Sequence, residues 1–151
     1  MATHALARPP FERVAYRRIV VPIAGDDDSE TGVALAAELA PEAGASITAV
    51  FVIEVAAELP LDAHMHDEEH AAREALEKAH AIAASRGVRL RERIVRARSR
   101  GEAIVAEAEA VQADMVVMRA APKNGKRLFG RTADYVLRHA DCRVLVTAPG
   151  P

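Results

Sequence analysis

Apolar residues in this chain fall into short unbroken runs, separated by stretches where they recur every three or four positions. Unbroken runs occupy residues 19–24, 46–54 (SITAVFVIE) and 114–118, and a shorter one covers 143–147. Runs without alternation suit the central strands of a parallel sheet, whose two faces are both covered by helices. Residues 88–95 alternate instead, so that Arg89, Arg91 and Arg93 share one face of a strand. Such an arginine ladder protects an edge strand from pairing with other chains.

Between these runs the period changes to that of a helix. Gly25 to Ser29 reads as a turn that doubles as a helix start, where Asp27, Asp28 or Ser29 can cap exposed amides. That helix is expected to reach about residue 43, with Val33, Ala36, Ala37 and Ala40 inward, and to end at Gly44. Residues 56–65 carry Pro60 and no period, so they read as a connection. Further helices are expected at 67–86, closed by Gly87, at 101–112 and at 131–140. Strand and helix thus alternate to a fifth strand, which specifies an α/β fold: an open five-stranded parallel sheet with helices on both faces, Rossmann-like. Right-handed crossovers with the ladder at an edge give strand order 3-2-1-4-5. The order reverses between the first and fourth strands, and ligands of such sheets sit there, beyond the carboxyl ends.

Composition narrows the partners. At 151 residues the chain is one domain by size, with residues 1–16 (containing Pro9 and Pro10) as a loose tail or linker and 17–149 as the domain. Aromatic residues make up 3% of it, so the core must be Ala, Val, Leu and Ile, and base-stacking platforms for single-stranded nucleic acid are excluded. A net charge of −2 gives no general pull toward nucleic acid or anionic lipid. One cysteine excludes an intramolecular disulfide, and no apolar run reaches membrane-spanning length; a soluble cytoplasmic domain is expected.

Candidate chemistry concentrates in the loop after the fourth strand. Lys123, Lys126, Arg127 and Arg131 lie within nine residues at the mouth of a helix, and with Arg119 they could hold an anion by side-chain charge. The alternative is a solvated basic loop. Arg96, Arg98 and Arg100 could add to the same field if their turn folds toward the crevice. Arginines oppose the positive end of a helix starting at Gly101, which suggests another purpose for them. His64, His66 and His70 include a pair four apart, a spacing that can hold zinc or nickel, although a surface helix start explains them as well. Cys142 has no His or acid partner beside it in sequence. Catalytic arrangements of Ser, His and Asp, paired carboxylates and a Walker loop are missing, so no enzyme activity and no metal are expected.

Residues 114–118 (DMVVM), Gly130, 136–140 (VLRHA) and 142–146 (CRVLV) resemble the closing signature of the universal stress protein family. Residues 19–22 (IVVP) followed by Gly25 resemble its opening strand and turn, and the resemblance spans about residues 17–147. It implies that family's fold, an adenine nucleotide such as ATP as the expected ligand class, and a homodimer through the fifth strand's edge. The nucleotide-binding pattern of the family is Gly-x-x-Gly, nine residues, then Gly with Ser or Thr, where glycines let backbone amides touch phosphate. Here the first glycine falls on Arg119 and the second on Pro122, which has no N–H. Gly130 is kept, Arg131 takes the hydroxyl position with Thr132 one residue late, and the loop is two residues short. The family's nucleoside-contacting acid falls on Ala24. Crevice candidates are therefore Pro22, Ala24, Gly25, Val52, Met118, Arg119, Lys126, Arg127, Gly130, Arg131 and Thr132. The expected function is a non-enzymatic signalling or adaptor dimer with a degraded ATP loop; the alternative is a sensor of a nucleotide or phosphate anion. The loop and helix 131–140 are also similar to universal stress protein domains appended to membrane transporters, implying a transporter or signalling protein as partner, without direct membrane insertion.

Overall fold

The computed structural model describes residues 16–25, 27–40, 44–119 and 130–147. Nine elements alternate along it: β1 (Arg18–Ile23), α1 (Asp27–Leu39), β2 (Ser46–Glu54), α2 (His66–Ser85), β3 (Arg89–Ala97), α3 (Arg100–Ala110), β4 (Met115–Arg119), α4 (Gly130–His139) and β5 (Arg143–Thr147). The strands form one parallel sheet in the order β3-β2-β1-β4-β5. The two-sided cover of β1, β2 and β4 follows from their unbroken apolar runs, while the more exposed β3 and β5 take the edges.

Side chains of β1 and β2 sort strictly by parity. Ile19, Val21, Ile47, Ala49 and Phe51 pack under α1 and α2, while Val20, Val50 and Val52 meet α3 and α4. The helices answer with small residues. α2 buries Ala72, Ala75, Ala79 and Ala83 around Leu76, so its backbone approaches the sheet closely without aromatic filling. Each buried Val or Ile removes apolar surface worth about 1.5–3 kcal/mol, and this sum drives the layers together.

The chain departs from the sequence expectations at three boundaries. α1 stops at Leu39, not near residue 43, because Pro41 lacks an N–H and disfavours helical geometry in the residue before it. β3 continues to Ala97, since it pairs with β2 over its whole length from Ser46–Arg89 to Glu54–Ala97. Arg96 therefore belongs to the strand and not to the turn after it. β1 ends at Ile23, because the Ala24 N–H turns away to the Ser29 hydroxyl, at 2.8 Å. The side chains of Asp27 and Asp28 lie outside the described set.

Two ends of the β1–β4 junction are treated differently. At the amino ends, Asp114 Oδ2 accepts hydrogen bonds from the Arg17 and Arg18 amides, both at 2.8 Å, and its own N–H donates to Arg18 O at 2.7 Å. Toward the carboxyl ends, the β1–β4 pairing stops at Val20–Val116. β1 stays paired with β2 as far as Ile23–Phe51 and β4 with β5 as far as Arg119–Thr147. The junction is clamped at one end and open at the other, which puts a crevice where the strand order reverses.

On the face that covers Val20 and Val116, α3 and α4 cross closely. Gly101 in the first turn of α3 faces Tyr135 of α4, and a Cβ built on Gly101 would lie 2.9 Å from the Tyr135 Cβ, Cγ and Cδ1 atoms. Alanine in place of glycine inside a helix gains about 1 kcal/mol from propensity, whereas overpacking costs about 1–3 kcal/mol. The crowded atoms are at the root of the tyrosine, which cannot swing aside, so overpacking wins. Gly101→Ala should lower stability in urea unfolding, and Tyr135→Ala in the same chain should recover part of the loss; simple additivity of the two costs would refute the crossing as its cause.

Candidate functional site

β1 delivers Pro22, Ala24 and Gly25 to the open end of the junction. Pro22 is half-buried, while Ala24 and Gly25 are exposed. Gly25 has φ +83°, a left-handed conformation that glycine adopts without strain and that turns the chain from β1 into α1. Ser29, nearly buried, fixes this turn by accepting the Ala24 amide. At position 24 the side chain is a methyl group, so it offers a ligand no acceptor.

β4 and α4 supply the opposite lip. Met118 is buried, and Arg119 ends the strand half-buried, paired in the ladder with Thr147 of β5. Gly130 opens α4 with φ +77°, Arg131 is exposed and Thr132 half-buried. Val52 sits 4% exposed in the core under α3, below the crevice and not on its surface. The structure therefore brings Ala24, Gly25, Arg119, Gly130, Arg131 and Thr132 to the carboxyl edge and places Val52 and Met118 beneath it. Pro122, Lys123, Lys126 and Arg127 lie outside the described residues, so the basic-loop expectation rests on sequence alone.

The guanidinium groups of Arg96 and Arg98 are engaged away from this crevice. Arg96 Nη1 donates to Ala63 O at 2.8 Å and Nη2 to the Glu69 carboxylate. Arg98 Nη1 donates to the carbonyls of Val55, at 3.3 Å, and Ala56. Glu54 Oε1 accepts the Arg100 amide at 2.9 Å, and Val55 N donates to Ala97 O at 2.8 Å. Together these contacts tie residues 55–63 across the carboxyl ends of β2 and β3. That is the other purpose implied by arginines beside the positive end of α3, whose cap is Ser99, its hydroxyl accepting the Glu102 amide. Burial works to raise the Glu69 carboxyl. The Arg96 hydrogen bond and charge, aided by the Met65 backbone and His64, outweigh it and hold Glu69 below the usual glutamate range.

The remaining candidates are quiet. The imidazoles of His64 and His66 stack at 5.7 Å, and His70 lies 3.7 Å from Glu74. Among the described residues no group of three or more His, Cys, Asp or Glu is placed to hold a metal. His139 stacks on Tyr135 at 4.0 Å and its Nδ1 lies 2.9 Å from Tyr135 O. Burial pushes the Cys142 thiol up, with the charges of Asp114 and Asp141 adding to the shift against a backbone hydrogen bond, which disfavours the reactive thiolate. Among the described residues, no helix is long and apolar enough to cross a membrane.

A carboxyl held low stabilises the fold above its unfolded value and loses that contribution as pH falls through the folded value. NMR titration should find Glu69 below the ordinary glutamate range, and Arg96→Met should bring it back up toward that range. Protection of the 55–63 amides, corrected for the intrinsic slowing of exchange in acid, should fall as pH drops in the parent protein. A Glu69 titration unmoved by Arg96→Met would contradict the clamp.

Residues 15–148 match the universal stress protein family. A universal stress protein of Methanocaldococcus jannaschii is 32% identical over 139 residues, covering 87% of this chain and 81% of that protein. Among solved structures, a universal stress protein in complex with cAMP superposes with a TM-score of 0.66 at 25% identity, over 91% of this chain and all of the other. One from Archaeoglobus fulgidus in complex with dAMP gives 0.70 at 23% identity, covering 88% of this chain and 98% of its own. Fold and sequence agree: the chain belongs to the universal stress protein family.

Proposed function

We propose that this chain is a non-enzymatic signalling or adaptor module that acts as a dimer and whose crevice no longer holds ATP by backbone contacts. The observation that carries this reading is Arg119 at the carboxyl end of β4, paired with Thr147, where close approach of a triphosphate needs bare main chain. Two further features support it. Position 24 offers a methyl group in place of a carboxylate. β5 ends the sheet with Val144, Leu145 and Val146 half-buried, an apolar edge that a second copy would cover. The setting we propose is the cytoplasm, with a transporter or signalling protein as downstream partner.

A second reading is favoured by the relatives solved with cAMP and with dAMP. Each of those ligands carries a single phosphate, which needs far less cradle than a triphosphate. Arg119 and Arg131, with Lys126 and Arg127 from the intervening loop, would meet that charge through side chains.

Thermal shift separates these readings. A ligand present at one hundred times its Kd stabilises by about 2.7 kcal/mol, so magnesium-ATP at millimolar concentration should leave the melting temperature unchanged. A rise with AMP or cAMP, lost in Arg119→Ala, would establish the second reading in place of an empty crevice. A rise with magnesium-ATP that persists in Arg119→Ala would overturn both. Sedimentation should show a dimer that Val144→Lys converts to a folded monomer, and a monomeric parent at micromolar concentration would remove the adaptor dimer.

A further inference from the structure

β3 is the other edge of the sheet, nine residues long, and it pairs with β2 alone among the described residues. Its two side-chain rows differ in chemistry. One row carries Arg89, Arg91 and Arg93, all exposed. Arg93 is engaged by α3 through a two-pronged contact to Glu107, with Nη2 at 2.9 Å from Oε1 and Nε at 3.1 Å from Oε2. The side chains of Arg89 and Arg91 make no hydrogen bond or ion pair with any described residue. The other row carries Leu90, Glu92 and Ile94; Glu92 lies 3.9 Å from His80 of α2, and Ile94 is 41% exposed.

An edge of this kind is selective. Two copies of β3 paired edge to edge in register would set arginine against arginine, and like charges directly opposed on neighbouring strands are unfavourable. An extended segment that alternates acidic and apolar residues meets the opposite situation. Its carboxylates would fall about 6.6 Å apart along the strand, the spacing of Arg89 and Arg91. Its apolar side chains would fall on the row of Leu90 and Ile94, and its backbone would satisfy the edge.

We propose that the outer edge of β3 is a docking site for an extended acidic partner segment, which adds as a sixth strand with carboxylates over Arg89 and Arg91 and apolar residues beside Leu90 and Ile94. The partner's chemistry is that of an acidic, strand-forming peptide. This inference does not rest on the state of the crevice, and it gives an adaptor a face on the opposite side of the sheet from the β5 edge.

The probe is an end-capped eight-residue peptide of alternating Glu and Val, titrated into the full chain and followed by fluorescence anisotropy and by amide exchange across β3. Binding should weaken steeply with salt, slow exchange at the outward amides of β3, and fall by about tenfold or more in R89E/R91E. The same double variant should prefer the matching Lys-Val peptide, a reversal that a merely unfolded edge would not produce. Ile94→Asp should weaken the Glu-Val peptide without altering the melting of the dimer. Absence of binding to the parent chain, equal binding of the Lys-Val peptide to it, or affinity unchanged in R89E/R91E would each overturn the proposal.

Discussion

Everything in this fold depends on the reversal of strand order at β1. Right-handed crossovers carry the chain from β1 outward through β2 to β3, then back past β1 to β4 and β5. β1 is thereby buried on both faces and paired on both edges, while its two neighbours leave in opposite directions at its carboxyl end. Asp114 holds the β1 and β4 amino ends together through the Arg17 and Arg18 amides. The pairing lapses after Val20–Val116, and the lapse is the crevice. A site is therefore present by topology before any side chain specifies what fills it.

Positive charge serves different ends at different places on the sheet. A phosphate cradle built from backbone amides requires small residues; the carboxyl edge of this sheet carries Gly25 and Gly130 with positive φ, and Arg119 at the end of β4. Guanidinium groups elsewhere are committed to structure. Arg96 and Arg98 hold the segment after β2 in place by donating to its carbonyls, and Arg93 grips α3 through Glu107. Arg89 and Arg91 remain at the sheet edge with their charge uncompensated by any described neighbour, so the two edges of the sheet differ: β3 is basic and β5 is apolar.

The site was legible in part, and the division has a physical cause. Arg119 and Ala24 could be placed at the carboxyl edge because strand ends are marked by sharp changes from apolar to polar residues, whereas Gly130 was legible only through the family resemblance. Val52 was legible as part of a buried β2, but an unbroken apolar run does not say which face each residue takes, and Val52 packs in the core with Val20 and Val50. Arg96 and Arg98 were legible as arginines out of place beside a helix start. Their partners, the carbonyls of Val55, Ala56 and Ala63, carry no sequence signal at all, because every residue has a carbonyl.

The sequence by itself determined the alternation of strands and helices, the parallel sheet with its order, and the presence of Arg119 and Ala24 at strand ends where the chain turns from apolar to polar. These are properties of local pattern, set by burial on two faces and by the shape of single residues. Tertiary structure alone decided that α1 and α2 share one face with Ile19 and Val21, that Gly101 must admit Tyr135, and that the β1–β4 ladder stops at Val20–Val116. Such facts depend on which distant segments meet, and distance along the chain conceals them until the layers close.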